Sequence, residues 1–485
     1  MESLGPVLSV VGRVLLGFAA AFLVPLAWAA LDEPGLRQVW ALGFAGTLAS
    51  GALLALLTRR FRRELQPKDG FLLVTAVWLT LPAFAAVPLL FTVPGLGPAH
   101  AYFEAMSALT ATGGTALSGL DRLPVSVNVW RCFLQFLGGL GIILLVVAVL
   151  PLLGLGGVQL YRAEAPGPLK DAKLTPRIAE TARGLWTVYF AVSGACLLAY
   201  RWAGMSWPDA FMHMCSTMGL GGFSSHDASF AYWDSPLIEG VAIFFMAISG
   251  ISFARYFIAW RLRSVRGLLA DTEVRAYVGV LVGSIVLLAL LLEEHGTYDD
   301  LRSSLRAAAF QVVSLATTTG YASTDYSLWP VFAPVLLIFL GCFVSCAGST
   351  GGGIKMVRML LLVKQARREL VRIIHPRVIN PVTLGGTPVS GQVIANVLAY
   401  MLIYGASLIG LTMLLLLSGL DLVTAFSAVI VCVNNIGPGL GLVGPANHFG
   451  VLTEFQLWVL SFGMLVGRLE LLSVFVLFTG QFWRK

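Results

Sequence analysis

Four short segments, each ending at a glycine and each set between two long hydrophobic runs, recur along this 485-residue chain. They read Phe103 to Gly114, Phe211 to Gly222, Phe310 to Tyr321 and Phe426 to Pro438. Gly113, Gly221 and Gly320 lie ten residues after their phenylalanine and Gly437 eleven. Self-similarity at intervals of about a hundred residues marks duplication of one supersecondary unit. Each unit reads as a span, a half-helix, an extended filter strand and a second span.

Such a unit needs lipid around it, and the composition agrees. With 57% apolar residues, 12% charged residues and a mean hydropathy of +0.84, the chain has more apolar surface than one water-soluble core can hide. A span takes about 20 apolar residues, and ten stretches qualify: roughly 5 to 31, 36 to 58, 70 to 92, 128 to 151, 183 to 203, 236 to 260, 272 to 293, 331 to 363, 392 to 417 and 454 to 481. The expected architecture is an all-α integral membrane protein. Four tandem helix–pore-helix–helix repeats surround a central pore, preceded by two extra transmembrane helices. The units fall at 1–67 (the leading helices), 68–160, 161–265, 266–380 and 381–485.

Positive charge orients the chain, because short cytoplasmic loops retain Lys and Arg. Clusters stand at Arg59, Arg60, Arg62, Arg63 and Lys68; at Arg162, Lys170, Lys173, Arg177 and Arg183; at Arg261, Arg263, Arg266 and Arg275; and along Arg358, Lys364, Arg367, Arg368, Arg372 and Arg377, with Arg484 and Lys485 at the end. All share one side if both termini are cytoplasmic. The opposite side carries scattered bases only, at Arg37, Arg122, Arg131, Arg201, Arg302 and Arg306. The net charge of +7 is therefore a topology signal, not a nucleic-acid site. The first apolar segment is too long for a signal-peptide core and reads as a retained helix. The six cysteines lie in apolar or pore segments without metal-ligand spacing and read as buried free thiols. The six histidines are scattered and suggest no metal cluster.

A cation path needs glycine at these four places for a backbone reason. A selectivity filter replaces an ion's water with rings of carbonyl oxygens, and successive carbonyls turn inward only where a residue tolerates unusual dihedrals. About ten residues before each glycine form a half-helix roughly 15 Å long, and its partly negative C-terminal end favours a cation. Irregular backbone at membrane depth is allowed where it lines a watery cavity. The competing reading is that membrane helices use glycine for close packing. Four matching segments, each between paired spans, favour the pore.

Residues 108–124 (ALTATGGTALSGLDRLP), 219–227 (GLGGFSSHD), 315–323 (LATTTGYAS), 346–358 (CAGSTGGGIKMVR) and 434–441 (NNIGPGLG) resemble the Trk/Ktr/HKT superfamily of potassium transporters. The resemblance covers roughly residues 68 to 483, and the two leading spans make the chain more similar to the TrkH-type membrane subunits than to KtrB. It implies K+ as the bound and transported ion and no organic cofactor in this chain. It further implies a homodimer in the bacterial inner membrane, each protomer with its own pore, regulated by cytosolic RCK-type nucleotide-binding subunits (TrkA-like). Carried over by position, the filter strands are Thr110 to Gly113, Met218 to Gly221, Thr317 to Gly320 and Asn434 to Gly437. Carbonyls of Ala111, Thr112, Leu220, Thr318, Thr319, Asn435 and Ile436 would be the ion ligands below the glycine ring. Glycine in the first repeat, where sodium-selective plant relatives can carry serine, favours potassium. The strands differ from one another and from the TVGYG filter of potassium channels, which implies weaker discrimination against Na+.

The apolar stretch from Pro330 to Val363 is too long for one straight span and is interrupted by Gly348, Ser349, Thr350, Gly351, Gly352 and Gly353. It is not a phosphate-binding loop, because Ile354 separates Gly353 from Lys355 where that motif requires Gly-Lys followed by Ser or Thr. In the family the segment resembles an intramembrane loop, spanning 346–355 here, that lies beneath the filter and obstructs the path. The alternative is a packing kink. Arg468 sits near the middle of the last span, too far from either end for easy snorkelling, and such a charge is by default functional. We expect it to face the pore below the filter and bind carbonyls of the 348–353 loop; the alternative is a salt bridge to another helix. Glu470, two residues on, points elsewhere. Lys355 repels cations in the closed state or marks the interface. Arg255 reads as a helix-end or packing residue, with a dimer contact as the alternative.

No cytosolic stretch is long enough to fold alone; the longest, Gly154 to Arg183, is broken by Pro166, Pro168 and Pro176. The basic loops are docks for another chain or for anionic lipid. A membrane-embedded enzyme would need a converging nucleophile, base or metal set, which the spans lack. The alternative function is an ion-coupled symporter carrying K+ with H+ or Na+. Such proteins usually pair two broken helices in inverted halves, whereas here four equivalent units show one broken span.

Overall fold

The computed structural model describes residues 4–61, 66–144 and 174–484 and is helical almost throughout. Arg62, Arg63, Arg162, Pro166, Pro168, Lys170, Lys173, Lys485 and the boundary expected near residue 160 lie outside the described residues.

The leading helices are α1 (Leu4–Ala19) and α2 (Leu23–Asp32), which run on as one span, and α3 (Arg37–Leu57). A tightened turn, Ala20–Phe22, joins α1 to α2 just ahead of Pro25, whose nitrogen has no proton for the Ala21 carbonyl. This pair docks on the first repeat at Trp130, whose ring centroid lies 4.5 Å from that of Phe22 and 5.7 Å from that of Trp40. Trp40 Nε1 also donates to Ser126 Oγ at 3.0 Å.

Repeat 1 consists of α4 (Pro67–Thr92), the half-helix α5 (Pro98–Leu109) and α6 (Val125–Leu144). Repeat 2 has α7 (Leu174–Trp202), the half-helix α8 (Trp207–Gly219), α9 (Pro236–Ser249) and α10 (Phe253–Arg261). Repeat 3 has α11 (Thr272–Glu294), the half-helix α12 (Leu301–Ala316), α13 (Phe332–Phe343) and α14 (Met356–Ile374). Repeat 4 has α15 (Gly391–Leu417), the half-helix α16 (Leu422–Val433), α17 (Glu454–Arg468) and α18 (Leu472–Phe475). A two-stranded hairpin, β1 (Thr383–Leu384) with β2 (Thr387–Pro388), lies between α14 and α15. Among the described residues seven helices are long and apolar enough to cross a membrane, or nine if each sharply bent pair is one span.

Those bends correct the expectation of a single broken span. The stretch 236–260 is split into α9 and α10 at 84°, 331–363 into α13 and α14 around the glycine loop, and 454–481 after α17 at 107°. A hydropathy average is blind to these breaks because long apolar runs flank each of them on both sides. The backbone marks them instead, at Gly250 to Ser252 and at Glu470, which adopts φ 56°.

The half-helices are started by residues with a local reason to do so. Ser206, Asp300 and Asp421 accept from the amides of Asp209 (3.2 Å), Ser303 (3.3 Å) and Thr424 (3.0 Å), and Pro98 opens α5. Once started, they are sheathed by the spans: every residue from Phe103 to Leu109 is buried, while Leu42, Leu57, Phe91, Leu402 and Leu417 stay exposed on the outer helices. This apolar exterior is what a lipid-facing surface requires. All six cysteines are buried free thiols.

Candidate functional site

The half-helices α5, α8, α12 and α16 finish in one shared backbone motif. Just past each of them a non-glycine residue takes left-handed dihedrals: Ala111 (φ 50°), Leu220 (53°), Thr318 (63°) and Asn435 (54°). The next amide then reaches back five residues, Thr112 to the Ser107 carbonyl (2.8 Å), Gly221 to Ser216 (2.9 Å), Thr319 to Ser314 (2.8 Å) and Ile436 to Val431 (2.8 Å). This closes the helix end as in a Schellman cap. One residue further stands a glycine at positive φ: Gly113 (86°), Gly222 (77°), Gly320 (86°) and Gly437 (109°).

These glycines touch one another's neighbours in cyclic order. A methyl group added to Gly113 would collide with the carbonyl oxygen of Gly221, one on Gly222 with that of Thr319, and one on Gly320 with that of Ile436. One on Gly437 would lie 2.9 Å from the oxygen of Thr112, which returns the contact to repeat 1. Four chain segments that meet head to neighbour in this way form a closed ring. Asn435 Nδ2 reinforces the closing contact by donating to Thr112 Oγ1 at 2.9 Å.

The ring brings together Thr110, Ala111, Thr112, Gly113, Leu220, Gly221, Thr318, Thr319, Gly320, Asn435, Ile436 and Gly437, all at or beside it, and corrects the register of repeat 2. The ring glycine there is Gly222; Gly221 stands where Thr112, Thr319 and Ile436 stand and presents its carbonyl. The phenylalanine offset misled because the position ten before the ring glycine is Phe103, Met212, Phe310 and Ser427, all buried. Phe211 and Phe426 sit one residue earlier, and Phe426 is 49% exposed.

Beneath the ring lies the glycine loop, and it touches every repeat. Thr350 Oγ1 donates to the Met218 carbonyl (3.0 Å), Ser345 Oγ to that of Thr317 (3.2 Å), and the Gly352 amide to Thr318 Oγ1 (2.7 Å). A methyl on Gly352 would strike the Asn434 carbonyl, and a methyl on Gly139 of repeat 1 would lie 3.3 Å from Thr350 Cγ2. Gly348 and Gly353 adopt φ 78° and 77°, Ser349 Oγ donates to the Cys346 carbonyl (2.7 Å), and Gly351 packs on Ser345. The half-helix ends of repeats 2 and 3 are therefore hydrogen-bonded to this segment, and that of repeat 4 packs against it.

Arg468 binds the loop as expected, its Nη1 donating to the Thr350 carbonyl (2.8 Å) and its Nη2 to the Gly138 carbonyl (3.2 Å). It is buried, and it ends α17 instead of lying mid-helix. Lys355 Nζ donates to the Gly351 carbonyl. Glu470 leaves the helix axis at the break and pairs with Arg358 (2.6 Å), whose guanidinium stacks 4.3 Å from the Tyr400 ring. Arg358 is thus a buried partner and not a loop charge. Arg255 pairs with Asp271 at 2.6 Å.

Two residues escaped the sequence reading. Arg131, taken for a scattered outer charge, is buried and pairs with Glu104 of α5 (2.7 Å). Gln135 holds the repeat 2 strand, donating to the Gly221 carbonyl (2.7 Å) while accepting from the Phe223 amide (3.1 Å) and Ser216 Oγ (2.7 Å). The available signal was a carboxylate inside an otherwise apolar half-helix, which demands a partner.

Above the ring a cavity is lined by Gly113, Gly222, Gly320 and Pro438. At its rim His226 Nδ1 meets Asp121 at 2.5 Å, and its Nε2 lies 3.5 Å from Asp209, a distance for charge attraction but not a good hydrogen bond. Partial burial pulls the His226 pKa down, but attraction to the Asp209 carboxylate and the bond and charge of Asp121 outweigh it and leave the pKa above 6.5. Burial pushes the Asp121 carboxyl upward, and His226 and the Asp227 amide reverse this, so it stays below 3.8. Asp227 in turn accepts from the amides of Gly119 (3.0 Å) and Leu120 (2.9 Å), so the outer loops of repeats 1 and 2 are tied together.

A ring of backbone oxygens above four converging helix ends can replace the hydration of a bare monovalent cation. Comparison with known proteins places the chain among cation transporters. A family profile described as cation transport protein, TrkH, matches residues 36–485. The Trk system potassium uptake protein TrkH of Halomonas elongata is 43% identical over the full length of both chains. That of Escherichia coli (strain K12) is 41% identical over 98% of both. The crystal structure of the potassium transporter TrkH from Vibrio parahaemolyticus superposes with a TM-score of 0.92 at 39% identity, covering 100% of this chain and 99% of the other.

Proposed function

Because the chain belongs to the TrkH family of cation transport proteins, we propose that it carries K+ into a bacterial cell across the inner membrane, through a filter built from its four repeats. The observation that carries this reading is the cyclic contact of Gly113, Gly222, Gly320 and Gly437 with the carbonyls of Gly221, Thr319, Ile436 and Thr112. The relatives' potassium uptake names the ion. On this reading those carbonyls, with the next set below at Ala111, Leu220, Thr318 and Asn435, coordinate K+ stripped of water. Rb+ passes too, and Na+ is refused less strongly than by a filter of four identical strands.

The loop 346–355 is the gate of this scheme. Its hydroxyls and amides occupy the half-helix ends that a descending ion would use, and Arg468 adds a fixed positive charge bonded to Thr350. Lys355, bonded to Gly351, adds a second. Opening withdraws the loop and these charges together, because they are bonded to each other. The units 1–67, 68–160, 161–265, 266–380 and 381–485 serve as a leading pair followed by four pore modules. Both termini are cytoplasmic, two protomers associate, and RCK-type nucleotide-binding subunits act on the basic cytoplasmic surface.

Uptake of radioactive Rb+ into liposomes holding the purified protein, with and without an imposed proton gradient, tests the function. Saturable uptake competed by K+ and insensitive to the gradient is expected. Uptake that requires the gradient would make the protein a symporter, and no uptake above empty liposomes would end the proposal.

A further inference from the structure

We propose that the buried residue nine positions before each ring glycine is a strut that sets the width of the filter, and that the four repeats carry struts of graded strength. The residues are Glu104, His213, Gln311 and Ala428. The inference rests on the filter reading above and adds to it the residues that position the ring.

All four side chains are fully buried behind the ring. Each polar one crosses from the half-helix to the strand that leaves the ring glycine. Glu104 accepts from the Ala116 amide (2.7 Å), from Thr115 Oγ1 (3.0 Å) and from Arg131 Nε (2.7 Å). His213 Nε2 lies 3.0 Å from Ser224 Oγ, with Nδ1 anchored on the Asp209 carbonyl at 2.8 Å. Gln311 Nε2 reaches Ser323 Oγ and the Thr324 carbonyl at only 3.4 and 3.5 Å. Repeat 4 departs from the register: the Ala428 side chain makes no bond, and the bridge comes from Ser427, ten before Gly437, whose Oγ accepts from the Leu440 amide (2.9 Å) and donates to its carbonyl (3.2 Å). The bonded positions lie two to four residues past the ring glycine every time.

Each strut therefore closes a polar bridge around one ring glycine. The glycine has no side chain of its own to pack, so the spacing between half-helix and departing strand is held by the bridge. Charge-assisted bonds are roughly twice as strong as neutral ones, which makes the repeat 1 strut the strongest and the repeat 3 strut the weakest, although Ser314 Oγ adds a 2.7 Å bond to the Tyr321 carbonyl across Gly320. Arg131 extends the brace to repeat 2: it donates to the Ser224 carbonyl (3.4 Å), and its guanidinium lies over the Phe223 ring at 4.4 Å. A ring held at fixed width favours an ion that fills it. A ring that can shrink accepts the smaller Na+ as well.

The test is the K+ to Na+ permeability ratio of the full chain in liposomes, read from the potential at which net flux vanishes under opposed K+ and Na+ gradients. Glu104→Gln is expected to lower the ratio about tenfold or more, the worth of one charge-assisted bond. His213→Phe lowers it less, and Gln311→Leu by less than about twofold given the long bonds. The double variant Glu104→Gln with Arg131→Met, which removes the stranded cation, restores protein yield but not the ratio; a purely structural pair would recover both. If Glu104→Gln does not fold, His213→Phe and Ser427→Ala decide, and an unchanged ratio in both overturns the inference. Gly222→Ser runs alongside. Should it alter flux or ratio while every folded strut variant matches the unaltered protein, only the struts fall; should it too leave both unchanged, the filter reading falls first.

Discussion

The two sides of the glycine ring are held by different kinds of bond. On the outer side each departing strand is tied by side chains, most firmly by the buried Glu104–Arg131 pair, and the rim is tied again by His226 between Asp121 and Asp209. On the inner side the loop leans mainly on main-chain carbonyls, and three of its positions, Gly348, Gly353 and Lys355, sit at positive φ. Unpaired buried polar atoms occur on both sides, Arg468 Nε and Asn435 Oδ1 toward the loop and Ser107 Oγ and Gln311 Oε1 in the outer frame. An unpaired buried polar atom is a cost that a different arrangement can relieve. Under the proposed function the contrast separates selection from motion, with a frame above the ring tied by side chains and a loop below it held mainly through main-chain carbonyls.

The sharpest way to break that contrast is to strain the ring itself. Gly222→Ser puts a side chain at φ 77° against the Thr319 carbonyl. Strain of about 1–3 kcal/mol per such residue corresponds to roughly a tenfold to hundredfold change in ion occupancy, and the added clash pushes toward the upper end. Rb+ uptake should fall about a hundredfold with the protein still inserted and monodisperse. Uptake within twofold of the unaltered protein would mean that Gly222 is not in the ring.

Arg468 probes the inner side, and the expected change has the opposite sign. A unit charge about 6 Å from a passing cation, at an effective dielectric of about 20, raises its energy by about 3 kcal/mol. Arg468→Gln removes that charge, so uptake in the absence of any regulatory subunit should rise by up to about a hundredfold. The K+ to Na+ ratio should not move, because the outer frame is untouched. A fall in uptake, or a changed ratio at unchanged uptake, would contradict the division between a selecting frame and a moving loop.

What the sequence made legible follows from which signals stand out against an apolar background. Glycines at fixed distance from a half-helix, a run of glycines inside a span, and one arginine among leucines are each improbable in lipid unless used, so the ring, the loop and the Arg468–Thr350 contact were all within reach. The register of repeat 2 was not, because GLGG offers two glycines and only the backbone dihedrals separate Gly221 from Gly222. The breaks after α9 and α17 were hidden because apolar runs flank both and a hydropathy average passes over the few residues between them. Glu104–Arg131 and Arg358–Glu470 were hidden for another reason: each pairs residues far apart in the chain, and read singly Arg131 and Arg358 look like the topology charges that surround them. Charge counting reports sidedness only for side chains that reach water, and these two do not.

The smallest expected effect concerns the rim, and it carries a sign that can be checked. His226 has its pKa raised above 6.5 by Asp209 and Asp121, so its contribution to stability is complete below the pKa of the unfolded chain and is lost as pH rises through the folded value. Asp121 has its pKa lowered below 3.8, so its share is present above the unfolded value and lost as pH falls through the folded one. The tie between the outer loops of repeats 1 and 2 is therefore strongest in the window between the two, and mildly alkaline pH loosens it. With Asp121 43% exposed, water screens much of the attraction, so the effect should be a small shift and not a collapse. In detergent, the unaltered protein should melt slightly higher than His226→Gln at pH 6, with the gap closing by pH 9. A gap that widens with pH would show that neutral His226 is the stabilising form, and the outer frame would then owe its stiffness to the buried struts alone.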